Sequence, residues 1–246
     1  MSKKVAAIIC AAGASRRFAG KRNKAFVDVG GRAVFLRSVE LFSDREDVKQ
    51  ILLGISADDE EILNVKWGPN LKFFGVKIFI GGTERFDTVS KGLELIKDDI
   101  NLVAIHDACR CCATAELIDE VISAAAKSGA AIPACAVTAT IKDVKEDVIA
   151  GTVDRKGLYE AQTPQVFSLS LLKEAYANLG NLDKATISDD SQLVEALGKE
   201  VAIVETDSSN IKITKQSDTA IAEAILKSKP KKLPEGPAGP YIEAQW

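Results

Sequence analysis

This chain of 246 residues has one histidine, one methionine and no apolar run near membrane-spanning length. Each shortage removes a class of explanation. The lone imidazole, His106, excludes chemistry that needs two histidines. The five cysteines (Cys10, Cys109, Cys111, Cys112 and Cys135) are odd in number and lack framework spacing, so free thiols are expected rather than a disulfide scaffold. A formal charge of −3 is not that of a dedicated nucleic-acid binder. Met1-Ser-Lys-Lys leads directly into an apolar strand candidate without a signal-peptide core, so a cytoplasmic protein that neither spans nor binds membrane is expected. The two best-known phosphate loops are missing as well. Gly13 and Gly20 enclose six residues, Arg22 follows Lys21, and position 15 is Ser, which fits neither a Walker A loop nor a G-x-G-x-x-G fingerprint. A NAD-dependent oxidoreductase is set aside on that ground.

What is present is an ordinary globular composition, 46% apolar and 27% charged, with short apolar runs alternating with helix-like segments. Strands are expected at Val5–Cys10, Gln50–Ile55, Val76–Ile80, Leu102–Ile105, Ala131–Ala134, Val201–Val204 and Asn210–Ile213. Helices are expected at Ala33–Phe42, Asp58–Val65, Arg85–Ile96, Thr114–Lys127, Ser170–Ala177, Asp189–Leu197 and Ser217–Lys227. In the last, Ser217 is the expected N-cap, with Ile221, Ala224 and Ile225 on one face. The alternation predicts an α/β fold with a mostly parallel sheet covered on both faces. Residues 140–168 break it, with the arm at about 139–158. Thr140–Lys145 and Val148–Val153 read as a hairpin arm projecting from the sheet and pairing with a second copy of the chain. One domain is expected over residues 1–227, followed by a proline-rich tail, 228–246, holding Tyr241, Ile242 and Trp246.

Ligands on such sheets sit at the carboxyl ends of strands. There, after Val5–Cys10, stand Ala11, Ala12 and Gly13, small enough for a ligand to approach main-chain N–H groups. Arg16, Arg17, Lys21, Arg22 and Lys24 follow, so the segment suits the phosphates of a nucleoside triphosphate. After Leu102–Ile105 comes His106-Asp107-Ala108-Cys109-Arg110, where Asp107 is well placed to hold Mg²⁺. His106 is expected to be a strand-end residue with a backbone hydrogen bond. The spacing of His106, Cys109, Cys111 and Cys112 does not suit tetrahedral zinc. Gly81-Gly82-Thr83-Glu84-Arg85, with Thr88 one turn on, permits close approach of a base or ribose, or else makes a tight turn into a capped helix. Arg155 at the arm's base and Lys212 in a late strand are further basic positions.

In order, AAGASRR, GGTERFDTV, HDACR, TVDRKGL, QTPQVF and NIKIT resemble the 2-C-methyl-D-erythritol 4-phosphate cytidylyltransferases of non-mevalonate isoprenoid synthesis, from about Val5 to Lys227. The resemblance implies a Rossmann-like nucleotidyltransferase fold, a homodimer built through the arms, and a reaction joining CTP to a sugar-alcohol phosphate with release of pyrophosphate. It implies that Arg17 and Lys24 stabilise charge on the CTP phosphates, that Lys212 holds the α-phosphate and that Asp107 binds Mg²⁺. Gly82, Thr83 and Thr88 would surround the cytosine, with the amides of Ala11, Ala12 and Gly13 nearby. Thr140 and Arg155 would grip the phosphate of the acceptor from the partner's arm. The chain departs from the family at Asn23 and Ala25, which flank Lys24 in place of Pro and Gln, at Cys109 and Cys111, at Thr83 and at Ala139. A ribitol-5-phosphate cytidylyltransferase and a catalytically silent relative are the alternative readings.

Overall fold

The computed structural model describes residues 3–13 and 23–229. Its centre is an eight-stranded sheet. The strands of its first half are β1 (Val5–Cys10), β4 (Val48–Ile55), β5 (Val76–Ile80) and β6 (Leu102–Asp107), while β2 (Asp28–Val29) and β3 (Arg32–Ala33) form a small hairpin apart. The second half holds β7 (Ala130–Ala136), β10 (Tyr159–Ala161), β11 (Gln165–Ser168) and β12 (Ala202–Thr206). β1 lies between β4 and β6, parallel to both, and β5 extends the sheet beyond β4. β11 runs antiparallel between β6 and β7, and β12 pairs parallel with β7. The expected mostly parallel sheet is therefore present. The short antiparallel strands β10 and β11 have no distinct hydrophobic signature, because three or four residues carry too little pattern.

Side chains alternate across a strand, and β1 shows the result. Val5, Ala7 and Ile9 face one apolar layer, whereas Ala6 and Ile8 face another. The first layer packs under α1 (Val34–Ser43), α2 (Glu60–Phe73), α4 (Ala115–Ser128) and α7 (Ser217–Ser228). The second packs under α3 (Arg85–Glu94), α5 (Leu169–Ala177) and α6 (Ser191–Glu195). Burial on both faces explains why the central strands read as continuous apolar runs.

Three expectations change. α2 continues past Val65 through Pro69 to Phe73, because Leu63, Trp67 and Leu71 repeat every four residues on its buried face and outweigh one lost backbone hydrogen bond. Asn210–Ile213 is not a strand; it is tied to the loop after β6 by the Ile213 N–H, which donates to the Cys109 carbonyl at 2.9 Å, and by Arg110, which donates to the Asn210 carbonyl at 2.8 Å. In α7 the N-terminus is organised by Asp218, whose Oδ2 accepts from the N–H groups of Thr214 and Lys215, both at 2.8 Å. The inward face of α7 is Ala222, Ile225 and Leu226, while Ile221 is exposed.

The arm forms as expected. β8 (Ile141–Lys145) pairs antiparallel with β9 (Val148–Val153) in a sheet of its own, closed by Glu146 and Asp147 at φ 48° and 63°. Val144, Val148 and Ile149 are exposed on it. Residues 230–246, with Tyr241, Ile242 and Trp246, lie outside the described residues, as does 14–22.

The loop that carries Lys24 is seated by aromatic packing. Phe26, Phe35 and Trp67 meet pairwise at ring-centroid distances of 5.3, 5.4 and 5.2 Å. Phe35 is fully buried. Phe35→Ala should therefore cost about 3–5 kcal/mol, read from urea unfolding midpoints. A loss below about 1 kcal/mol would show that the neighbours close over the cavity.

Candidate active site

The carboxyl ends of β1 and β6 and the start of α3 enclose a cavity of about 350 Å³. Ala11, Ala12, Gly13, Lys24, Gly82, Thr83, Thr88, Asp107 and Lys212 all line it, so most of the sequence-derived site residues converge. Arg17 lies outside the described residues. Thr140 and Arg155 do not line the cavity; they are exposed at the base of the arm, where the Arg155 guanidinium donates to the Thr138 carbonyl.

The Gly81–Gly82 turn serves packing and access together. A Cβ on Gly81 would stand 2.7 Å from Thr88 Oγ1 and 2.8 Å from Ala12 Cβ; one on Gly82 would stand 2.2 Å from Asp87 Cβ. Both positions exclude side chains. The turn feeds α3 through a reciprocal cap between Glu84 and Asp87. Thr88 Oγ1 accepts from the Gly82 N–H at 3.0 Å and donates to the Glu84 carbonyl at 3.3 Å, so its hydroxyl fixes the turn from below.

Asn23 rebuilds the frame around Lys24. Its Oδ1 accepts from the Ala25 N–H at 3.1 Å, and its Nδ2 donates to the Ala11 carbonyl and to Asp59 Oδ2, each at 2.9 Å. The lysine is thus presented from a short helical turn, Lys24–Phe26, tied directly to the end of the first strand. A polar side chain does here what a ring would do by restricting φ.

Asp107 is the electrostatic centre. Oδ1 is 3.2 Å from Arg85 Nε, and Oδ2 is 2.8 Å from Lys212 Nζ and 3.6 Å from Arg110 Nε. Burial alone would raise its pKa. The charges of Arg85, Lys212 and then Arg110 outweigh that and hold the carboxyl well below the usual carboxylate range. Arg110 is buried and donates to the carbonyls of Asn210 at 2.8 Å and Ala161 at 3.3 Å. Arg85 also meets Asp190 at 2.5 Å. Sequence reasoning did not single out Arg85, Arg110 or Asp190. The visible signal was an arginine directly after Thr83-Glu84 and an Asp189-Asp190 pair at a helix start.

Burial pushes the Cys10 thiol up to about 12 and the Cys109 thiol up to about 11. Both line the cavity as neutral groups, not as nucleophiles. Cys111 and Cys112 lie in the apolar layer, and His106 turns away from them: its Nε2 is 3.2 Å from the Arg110 carbonyl and its Nδ1 3.1 Å from Thr163 Oγ1. The whole arrangement offers fixed positive charge, a main chain at Ala12–Gly13 without bulky side chains and the ionised carboxylate of Asp107, which suits polyphosphate chemistry without a protein nucleophile.

The family model described as 2-C-methyl-D-erythritol 4-phosphate cytidylyltransferase matches residues 5–228. A protein of that name from Endomicrobium trichonymphae is 42% identical over 226 residues, spanning 92% of this chain and 100% of the relative. Another, from Rhodopirellula baltica, is 36% identical over 234 residues, 90% of this chain and 94% of its own. The solved 4-diphosphocytidyl-2C-methyl-D-erythritol synthase of Anaerococcus prevotii aligns at a TM-score of 0.78 and 32% identity, over 92% of this chain and 97% of that one. The 2-C-methyl-D-erythritol 4-phosphate cytidylyltransferase of Thermus thermophilus aligns at 0.74 and 31%, over 89% and 98%.

His106 gives a pH signature. Burial lowers its pKa to about 4, against 6.5 for an exposed imidazole, so the ring is neutral in the folded state. As pH falls below 6.5 the unfolded chain takes up the proton first, and stability declines until about pH 4, where the folded form protonates too. Between pH 7 and 4 the protein should lose on the order of 3 kcal/mol more than a His106→Gln variant. Equal losses in the two unfolding series would remove His106 as the source.

Proposed function

The chain belongs to the 2-C-methyl-D-erythritol 4-phosphate cytidylyltransferase family, and we propose that the cavity beside Asp107 is where it carries out that reaction. It transfers the cytidylyl group of CTP to 2-C-methyl-D-erythritol 4-phosphate, releasing pyrophosphate, in the non-mevalonate route to isoprenoids. The observation that supports this location most directly is the convergence of Lys24, Lys212 and Asp107 on one cavity beside the Gly81–Gly82 turn.

In this reading an oxygen of the acceptor's phosphate attacks the α-phosphorus of CTP, and the bond from that phosphorus to the bridging oxygen of pyrophosphate breaks. The attacking oxygen is already anionic, so no general base is required. What the protein must supply is alignment and positive charge where the α-phosphorus becomes five-coordinate. Lys24 and Arg17 provide that charge, and Lys212 holds the α-phosphate. The Ala12–Gly13 main chain lies along the triphosphate, with Gly82, Thr83 and Thr88 around the base; the Ala11 N–H takes no part as a donor, because it is given to the Gly54 carbonyl at 2.8 Å. Thr140 and Arg155 bind the acceptor's phosphate from a partner's arm, so the working form is a homodimer. That reading is supported by their exposure away from the cavity and by a two-stranded arm with uncovered apolar side chains. Residues 1–227 act as one catalytic domain, and the cytoplasm is its compartment. Among the described residues no helix is long and apolar enough to cross a membrane.

Asp107 is the residue that would hold Mg²⁺. An ionised carboxylate at the cavity edge, with one oxygen contacted by a partly exposed lysine, fits a hard cation that takes its remaining ligands from phosphates and water. Bound there, Mg²⁺ would add charge neutralisation on the phosphates.

Three measurements test the reading. With CTP, pyrophosphate release should require 2-C-methyl-D-erythritol 4-phosphate and be much slower with ribitol 5-phosphate; the reverse preference would overturn the acceptor. Lys24→Ala should lower kcat at least about tenfold, equivalent to ~1.4 kcal/mol, with a smaller change in KM for CTP. Mixing Lys24→Ala with Arg155→Ala, after subunit exchange is shown with a labelled pair, should restore part of the activity through one intact pocket per mixed dimer. No recovery would place Arg155 in its own subunit's service or in none.

A further inference from the structure

Arg85 opens α3, where unpaired N–H groups make the helix end partly positive. A cation there is unfavourable unless anions from elsewhere meet it. Two do: Nε meets Asp107 Oδ1 at 3.2 Å, and Nη1 meets Asp190 Oδ2 at 2.5 Å. Asp190 is itself immobilised. Tyr176, on α5 and outside the cavity lining, donates its hydroxyl to Asp190 Oδ1 at 2.6 Å. Buried Gln165 accepts the Asp190 N–H at 3.0 Å and the Ser191 N–H at 3.2 Å. A line of polar contacts therefore runs from Tyr176 through Asp190 and Arg85 to Asp107.

We propose that Asp190 and Tyr176 are positioning residues that act through Arg85, fixing Asp107 so that it offers a metal–triphosphate ligand one oxygen, Oδ2. This rests on the reading of Asp107 as the Mg²⁺ ligand. The two oxygens of Asp107 are not equivalent. Oδ2 contacts Lys212, a half-exposed side chain on a flexible stem that can move to a phosphate, and its other cationic neighbour, Arg110 Nε at 3.6 Å, stands beyond hydrogen-bond reach. Oδ1 contacts a guanidinium that cannot leave without stranding Asp190, which is 1% exposed, as an unpaired buried carboxylate. With Arg85 clamped, the carboxylate plane is set and one-oxygen coordination follows. With the clamp loosened, the carboxylate can turn and the cation's geometry is lost. Partners of this kind typically change metal affinity by 10–100-fold.

The test uses the full chain with CTP and no acceptor, so nothing turns over. Binding of Mn²⁺–CTP to the protein is followed by the enhancement of water-proton relaxation over that of Mn²⁺–CTP alone, and folding by thermal melting. Asp190→Asn should weaken Mn²⁺–CTP binding about tenfold, and Tyr176→Phe should weaken it by a smaller but measurable factor. In an Asp107→Asn background neither change should weaken it further, because both act through that carboxylate. Tyr176→Phe keeps the ring on α5 and so remains informative if Asp190→Asn fails to fold. A lower melting temperature with unchanged Mn²⁺–CTP affinity in Tyr176→Phe would overturn the proposal, leaving the line of contacts a matter of stability. Wild-type Mn²⁺–CTP affinity in Asp107→Asn alone would instead overturn the metal reading on which it stands.

Discussion

The organising constraint of this protein is a buried carboxylate that must stay ionised. Asp107 is at the last position of an internal strand, where an isolated negative charge would be driven to protonate. Its charge persists because cations reach it from the start of α3, from the loop after β6 and from the segment after β12. Those elements are far apart in sequence. Holding one anion obliges them to meet, and where they meet is the cavity.

The cations are held with different firmness. Arg110 is locked by two backbone carbonyls and Arg85 by a second carboxylate, while Lys212 keeps partial access to solvent. Fixed charges cost no reorganisation when a ligand arrives, and a loosely held one can follow the ligand. Lys24 belongs with the fixed elements in backbone terms, since Asn23 and the Phe26–Phe35–Trp67 cluster secure its turn.

Much of this was legible before any coordinates. Apolar runs ending in Ala11-Ala12-Gly13, Gly81-Gly82 and His106-Asp107 announced strands whose ends face one cavity, because small residues and charges at strand ends have a local meaning. The hairpin arm was legible for the same reason, from alternation and its turn. Asp190 and Tyr176 were not. Their importance comes from which side chain they touch, and partner choice across 105 residues of chain leaves no local trace. The Lys212 segment is not a strand although Ile211 and Ile213 alternate with polar residues, because both pack against the apolar layer on that face of the sheet and neither joins a ladder. Asn23 looked like the loss of a rigid residue, and hydrogen bonds to three partners replaced what the ring would have given.

The place of β11 in the sheet has a consequence for how the chain assembles. β6 and β7 are consecutive in the parallel series but are not neighbours; the four residues Gln165–Ser168 lie between them and pair with both. A chain emerging from its amino end can bring β1, β4, β5 and β6 together by residue 107, completing half of the sheet early. β7 then has no lateral partner from that half until the whole arm has been made and the chain returns. Its exposed edge must wait through that interval, which is the circumstance in which unpaired strands associate with the wrong neighbour. The vulnerable moment in the life of this protein is thus the synthesis of its arm.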